Sequence, residues 1–326
     1  VIIGMYAGKM CKGGTNNEKN VIIGWQANCA GGKESKYNVY IGCGAGKHAG
    51  GNSSTERNVA LGVNALNALN NGNCLEAHTN TAVGPNAGSA LTVGCCNTFL
   101  GAYAGGVRCS AQEVAGCTPS QNTAIGSRAG ARNVRGCNNV WVGAQAGSYA
   151  SMTTANVMIG YQAGCCVRKG GVNIMIGCNT GVHAFLGNNN IVMGRSAFSQ
   201  ICQGDGNIAI GRYSMQGLTC VQQSTGNNNV MIGEYTGRYI TSGSFNIALG
   251  QNSNFKVTTG ERNVSIGVQA GKCITTGSYN ITMGQLAGCT ISSGSRNIAI
   301  GKGVNVASAT GNDQFIIGCG SSFWIC

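Results

Sequence analysis

The sequence predicts an all-β protein, a parallel β-solenoid or β-roll of about 18 coils with a 17-residue period. The first observation is a recurring phrase of Asn, an apolar residue, a variable residue, an apolar residue and Gly, as in NIAIG at 297–301. The second is its spacing, and the third is a glycine content of 55 in 326 residues, which is too high for helices. The closing glycines, called marker glycines below, are Gly4, Gly24, Gly42, Gly62, Gly84, Gly101, Gly126, Gly143, Gly160, Gly177, Gly194, Gly211, Gly233, Gly250, Gly267, Gly284, Gly301 and Gly318.

The spacing of the marker glycines predicts one continuous solenoid over 1–326. Every step is 17 residues from Gly126 to Gly211 and again from Gly233 to Gly318. Coils in 1–126 are irregular because longer steps insert loops at the corners, whereas 126–326 is mostly regular. Within a coil, glycines such as Gly271 and Gly277 predict corners, and the Val-, Ile- and Thr-rich segments between them predict strands.

Side chains along a strand point alternately to its two faces, so the residues of the recurring five-residue phrase divide between two faces. We expect the residues three and one before the marker glycine, such as Ile298 and Ile300, to form an apolar ladder inside the coil. The residue two before it would then point outward, although it is usually apolar. Either the opposite wall of the coil or another chain could cover that stripe, and the size of the stripe favours another chain. The predicted lateral interface comprises Trp141, Met158, Met175, Val192 and Met231.

Asparagine stands four residues before most marker glycines. An Asn at one position of successive coils can stack as an amide ladder, in which each side chain bonds the next. The ladder is predicted most clearly in the regular half, at Asn139, Asn156, Asn173, Asn190, Asn207, Asn229, Asn246, Asn263, Asn280 and Asn297. Glycosylation is expected elsewhere, at Asn52 in an inserted loop.

The chain contains 18 cysteines but no C-x-x-C pair and only 3 histidines. This composition favours disulfides in an oxidising compartment over zinc binding, with buried free thiols as the alternative. Cysteines at similar positions of neighbouring coils would lie near each other, because adjacent strands are ~4.8 Å apart. The predicted pairs are Cys273 with Cys289, Cys202 with Cys220, Cys74 with Cys95, and two local pairs, Cys109 with Cys117 and Cys319 with Cys326.

The composition and the missing motifs limit the functions that the sequence supports. We find no nucleophile, P-loop or paired-carboxylate signature, which argues against an enzyme, and no repeated Asp for calcium. No cofactor is expected. No apolar run reaches the ~18 residues of a membrane span. The net charge of +12 either keeps the molecules apart in solution or attracts acidic polysaccharide or other glycans, and nucleic acid is not expected.

Two repeats carry a family resemblance. NTAIGSRAG at 122–130 and NVMIGYQAG at 156–164 resemble the head repeats of trimeric autotransporter adhesins and related repeats of viral and phage tail fibres. The resemblance covers nearly the whole chain and implies a stacked β-roll. In the adhesin heads three chains pack side by side, so the resemblance also implies lateral packing of this chain.

The sequence therefore supports two hypotheses on function. The first is a structural subunit of an extracellular filament or appendage that assembles with copies of itself. Contacts would be lateral and end-to-end, since neither end of the solenoid shows a cap, and the end-to-end residues would be Val1, Ile2, Ile3, Phe323, Trp324 and Ile325. The second is an adhesin head or viral fibre module that binds host-surface glycans. Both place the protein outside the cell or on a cell or virion surface.

Overall fold

The fold is described from a computed structural model, which covers residues 1–9, 18–30, 35–49, 55–69, 77–106, 119–183, 187–217 and 225–325. The described residues contain short β-strands and no helix, so the all-β prediction is confirmed. Consequently none of them forms a helix long and apolar enough to cross a membrane. The chain divides into two compact units, Val1–Arg168 and Lys169–Cys326, and each unit is a parallel β-solenoid.

The first unit stacks nine phrase strands in parallel and in register, so that Val140 lies beside Thr123 on one side and Val157 on the other. A short parallel pair, β3 with β5, forms a second wall. The strands are β1 Ile2–Ile3, β2 Val21–Ile23, β3 Ser35–Lys36, β4 Val39–Ile41, β5 Thr55–Glu56, β6 Val59–Leu61, β7 Thr81–Val83, β8 Thr98–Leu100, β9 Thr123–Ile125, β10 Val140–Val142, β11 Met152–Thr154 and β12 Val157–Ile159.

The second unit also stacks nine phrase strands in parallel, from β14 to β22, with Ile247 beside Val230 and Val264. Its strands are β13 Lys169–Gly171, β14 Ile174–Ile176, β15 Ile191–Met193, β16 Ile208–Ile210, β17 Val230–Ile232, β18 Ile247–Leu249, β19 Val264–Ile266, β20 Ile281–Met283, β21 Ile298–Ile300, β22 Phe315–Cys319 and β23 Ser322–Ile325. The final strand differs from the others because it folds back and pairs antiparallel with β22.

The interior of each coil is filled by the residue two before the marker glycine, and we call these residues the central column. Trp141, Met158 and Met231 have no exposed surface, Met175 is 1% exposed and Val192 is fully buried. The prediction that these five side chains form a lateral interface is therefore wrong, since they are core residues. Of the two covers considered for this stripe, the coil's own opposite wall is the correct one.

The opposite wall is built from small residues. The residue three after the marker glycine is Ala in most coils and is buried, as in Ala129, Ala146 and Ala163. A larger residue seven after the marker glycine, such as Ile240 or Ile274, completes the core. Each three-residue strand therefore turns only its middle side chain toward a narrow interior, and its two neighbours point out.

Volume is balanced between the central column and the residue four after the marker glycine. Beside the largest central residues the other is glycine: a Cβ on Gly147 would lie 2.1 Å from the Trp141 ring, and one on Gly164 would lie 2.3 Å from the Met158 sulfur. In the coils of Ala60 and Ala209, buried Leu66 and Met215 occupy that place instead. This exchange keeps the interior close-packed from coil to coil.

The asparagines form continuous amide ladders within each unit, at the positions where the sequence predicted them. The Nδ2 group of Asn246 donates to Asn229 Oδ1 at 3.1 Å and to the Gly260 carbonyl at 2.9 Å. Its Oδ1 accepts from the backbone N–H and the Nδ2 group of Asn263, at 3.0 and 3.1 Å. Both amide hydrogens and both lone pairs of this buried side chain are therefore satisfied. At the end of the second unit, Gln314 Nε2 donates to Asn297 Oδ1 at 3.2 Å.

Disulfide stapling is not observed. No two cysteines among the described residues are joined by a disulfide, and Cys273 and Cys289 are both unbonded. They stand six and five residues after their marker glycines, so this offset places them at different positions around the coil. The other predicted pairs each include a cysteine outside the described residues, namely Cys220, Cys74, Cys109, Cys117 and Cys326. The glycosylation candidate Asn52 also lies outside them.

Candidate functional site: an exposed aliphatic sheet face

The two residues that flank the central residue of each strand point away from the core. We call them the outer columns: the residues three and one before each marker glycine. Ile191, Ile232 and Ile247 are 37%, 39% and 39% exposed, which is unusual for isoleucine in a regular strand. These are the positions that the sequence assigned to the interior, so the predicted parity of the strand is reversed.

In the second unit the outer columns contain only apolar side chains. Because the strands pair in register, like positions lie side by side along the sheet. One column comprises Ile174, Ile191, Ile208, Val230, Ile247, Val264, Ile281, Ile298 and Phe315, and the other comprises Ile176, Met193, Ile210, Ile232, Leu249, Ile266, Met283, Ile300 and Ile317. The first unit has the same two columns, but Thr81, Thr98 and Thr123 interrupt one of them.

The size of this face follows from sheet geometry. Nine strands at ~4.8 Å spacing give a face of about 38 Å, and two side chains per strand make it roughly 12 Å wide. The face in the second unit therefore presents roughly 450 Å² of apolar surface, within the range of the largest patches that soluble monomers expose. Unlike such patches on globular proteins, it repeats every coil.

Polar and charged side chains lie along both sides of the face, together with some exposed apolar ones. After the marker glycine, the Arg212 guanidinium is hydrogen-bonded to Glu234 Oε1, and Gln251 Nε2 donates to the other oxygen of that carboxylate at 3.1 Å. On the Asn side, Arg296 pairs with Asp313 at 2.6 Å and holds the pKa of the Asp313 carboxyl below its usual value. An apolar centre with a polar border is the usual composition of a protein–protein interface.

Four of the residues that the sequence predicts for end-to-end contacts are exposed. Val1, Ile2 and Ile3 are 72%, 60% and 57% exposed, and Trp324 is 72% exposed. Phe323 and Trp324 belong to β23, which lies antiparallel on β22, so the last strand of this unit is not the bare parallel coil that the sequence suggested.

The sequence contained a signal that identifies the correct face. The Asn of the ladder stands four residues before the marker glycine, and the central residue stands two before it. Residues two apart on a strand share a face, so a ladder of buried Asn requires the central residue to be buried as well. Hydrophobicity alone predicts the wrong buried face, because all three positions of the strand are apolar.

These features define the class of protein: the chain is a parallel β-solenoid repeat protein with a buried amide ladder and an exposed aliphatic face. Comparisons with known protein families, with characterised proteins and with solved structures gave no match. The function must therefore be inferred from the geometry of the chain itself.

Proposed function

We propose that this protein is a structural subunit of an extracellular filament or appendage, in which copies pack laterally through the outer columns. The observation that carries the proposal is the uninterrupted apolar face of the second unit. The extracellular setting is supported by the resemblance of the repeats at 122–130 and 156–164 to adhesin heads and tail fibres.

A second copy of the chain is the occupant that best fits this face. Side chains repeated every ~4.8 Å interdigitate best with a surface of the same repeat, as in paired β-sheets. Another solenoid of this sequence offers that surface. A globular partner would match it over only a few strands, and its own surface would carry charged groups that an aliphatic face cannot pair.

The area corresponds to a small contact. Two copies of the second unit's face would bury roughly 900 Å² in total, near the lower limit for specific interfaces. At ~25 cal/mol per Å², 900 Å² corresponds to roughly 20 kcal/mol of hydrophobic free energy before the cost of association is subtracted.

The net charge of +12 does not prevent this contact. The outer columns of the second unit contain no ionisable side chain, and several arginines beside them are paired within the chain. Arg212 bonds to Glu234, Arg262 lies 3.4 Å from Glu261, and Arg296 bonds to Asp313. Repulsion between copies is further screened at physiological ionic strength.

Lysine substitutions in the outer columns are expected to abolish lateral association. The double variant Ile247→Lys/Ile281→Lys places two charges in the face without touching the core, so each solenoid should fold while the contact is lost. The measurement is the mass distribution by sedimentation velocity across a concentration series. The matched control is Gln251→Lys/Thr276→Lys, which adds the same charge at exposed positions outside the columns. Association of the wild type and control but not of the variant supports the proposal, and equal association of all three contradicts it.

A second candidate function, binding of acidic glycans, is favoured by an aromatic cluster in the second unit. The rings of Tyr213 and Tyr235 stack with centroids 5.2 Å apart, and the Arg238 guanidinium lies 5.0 Å from the Tyr235 centroid. Aromatic faces pack against sugar rings, and arginine pairs with their carboxylate or sulfate groups.

Arg238→Gln is expected to lower the salt concentration at which the protein elutes from immobilised heparin, because it removes a cation held beside these rings. Lys272→Gln removes the same charge elsewhere in the unit and serves as the control. Equal shifts for the two variants would show attraction by net charge alone and would contradict a glycan site at this cluster.

A further inference from the structure

A corner of the first unit brings together one histidine and two cysteines. The ligand atoms of His78, Cys95 and Cys96 all lie within 4.8 Å of one another. His78 and Cys95 are half-buried and Cys96 is exposed. From this arrangement we propose that the three side chains bind a zinc ion that ties two adjacent coils together. This inference is independent of the proposed lateral assembly.

The local backbone explains why the three groups converge. His78 and Cys95 both stand six residues before their marker glycines, so they occupy the same position on adjacent coils, and the coils pair through β7 and β8. The Cys96 N–H donates to the His78 carbonyl at 3.2 Å, which holds the two coils together at this point. Cys96 has a φ of 60°, a left-handed conformation that interrupts strand alternation, so both thiols can face His78.

In most other coils the residue six before the marker glycine carries a side-chain oxygen. In the second unit this oxygen accepts a hydrogen bond from the backbone N–H of the preceding coil: Asp205 Oδ1 accepts from Asn188 at 2.7 Å, and Asn312 Oδ1 accepts from Ser295 at 2.8 Å. In the first unit Ser120 plays this part for the Cys95 N–H at 3.1 Å. Cys95 and His78 replace these oxygen-bearing side chains with a thiol and an imidazole, and both groups can bind a metal ion.

The ligand set and its dimensions suit zinc. Thiolate and imidazole bind Zn²⁺ at ~2.3 and ~2.1 Å, so a tetrahedral site places its ligand atoms about 3.5–3.8 Å apart. Side-chain rotations that move the ligand atoms by up to about 1 Å bring the three groups to that spacing, and an exposed Cys96 can make them. Two thiolates balance the charge of Zn²⁺, and solvent can supply a fourth ligand at this open corner.

Two neighbouring hydroxyl groups support the ligands. His78 Nδ1 lies 3.2 Å from Thr79 Oγ1, a contact that orients the imidazole ring. Cys95 Sγ lies 3.8 Å from Ser120 Oγ, within reach of a hydrogen bond to sulfur. Such outer contacts are typical of ligating histidines and thiolates.

The first test is protection from alkylation. The full chain, fully reduced, is treated with iodoacetamide with and without Zn²⁺, and modified cysteines are mapped by mass spectrometry. We expect Zn²⁺ to protect Cys95 and Cys96, whereas the other adjacent pair, Cys165 and Cys166, should react at the same rate in both samples. Equal reaction of Cys95 and Cys96 with and without zinc would overturn the proposal.

The second test identifies the ligands with Co²⁺ as a spectroscopic substitute for zinc. Co²⁺ bound by thiolates gives a near-ultraviolet charge-transfer band and visible bands typical of tetrahedral sites. Cys95→Ser/Cys96→Ser should lose these bands, and Cys165→Ser/Cys166→Ser should keep them. His78→Gln should keep the charge-transfer band but bind about tenfold more weakly or worse, because even supporting groups of a metal site contribute that much.

Two outcomes would contradict the assignment. A spectrum unchanged in Cys95→Ser/Cys96→Ser would show that the metal binds other cysteines. An affinity unchanged in His78→Gln would remove the histidine from the ligand set. Circular dichroism of each variant checks that its β-structure is intact, and the alkylation test, which needs no substitution, still decides the question if a variant fails to fold.

Discussion

Gly267→Ala is expected to destabilise the second unit by about 3–6 kcal/mol. Gly267 has a φ of +131°, a conformation that other residues essentially do not adopt. A Cβ at this position would lie 2.6 Å from the Gly284 carbonyl oxygen and 2.7 Å from its carbon. These are backbone atoms of the next coil, so the clash cannot be relieved by rotating a side chain.

The matched control is Gly320→Ala. Gly320 also has a positive φ, of +57°, but no atom lies within 4 Å of a Cβ built there. We expect a cost of only about 1 kcal/mol for this backbone conformation. Urea unfolding measures the two free energies, and hydrogen exchange locates the loss in the coils around 264–301. Similar costs for the two variants would contradict the stacking of marker glycines.

Asn246→Ala is the second large effect, with an expected loss of roughly 3–6 kcal/mol. The substitution removes four side-chain hydrogen bonds of the amide ladder and leaves their partners buried. The partners are the Gly260 carbonyl, Asn229 Oδ1, and the backbone N–H and Nδ2 group of Asn263. An unsatisfied buried group costs more than the bond itself contributes, because it has also lost water.

Gln251→Ala provides the control for this substitution. Gln251 lies five residues further along and is exposed, and its side chain donates to half-buried Glu234. Its loss should change the unfolding free energy by less than about 0.5 kcal/mol. If Asn246→Ala cost no more than Gln251→Ala, the ladder would contribute nothing to stability and the Asn repeat would need another explanation.

Most of the architecture was predictable because it depends on spacing. The 17-residue steps between marker glycines predict the stacking that pairs Ile247 with Val264, and the recurring Asn predicts the position of the amide ladder. These features are periodic, and a repeat in sequence must become a repeat in space when the coils stack in register.

The faces of the strand were not predicted correctly because hydrophobicity does not distinguish them. Ile247, Ala248 and Leu249 are all apolar, yet only Ala248 is buried. The choice depends on the width of the interior, which Ala at the third position and Gly at the fourth position after the marker glycine make narrow. The sequence pattern predicts a corner at the glycine of the fourth position, although that glycine and the alanine before it also limit the side-chain volume that each coil can hold.

The candidate metal site was missed for a related reason. Cysteine spacing along the chain contains no zinc motif, and His78 lies 17 residues from Cys95 in sequence. One coil of the solenoid has the same length, so the two residues become neighbours across adjacent strands. In a solenoid, residues one period apart in sequence are neighbours in space, so a metal site can be recognised only when the sequence is aligned coil by coil.

The central claim is that the outer columns of one copy pack against those of another. The most direct measurement is site-specific photocrosslinking of the full chain, with benzoylphenylalanine placed at position 247 and, as a control, at position 276, followed by mass-spectrometric mapping. We expect position 247 to form intermolecular crosslinks to outer-column residues of a second copy and position 276 to form few. A face that yields no intermolecular crosslink at position 247, at concentrations where the protein associates, would contradict the account.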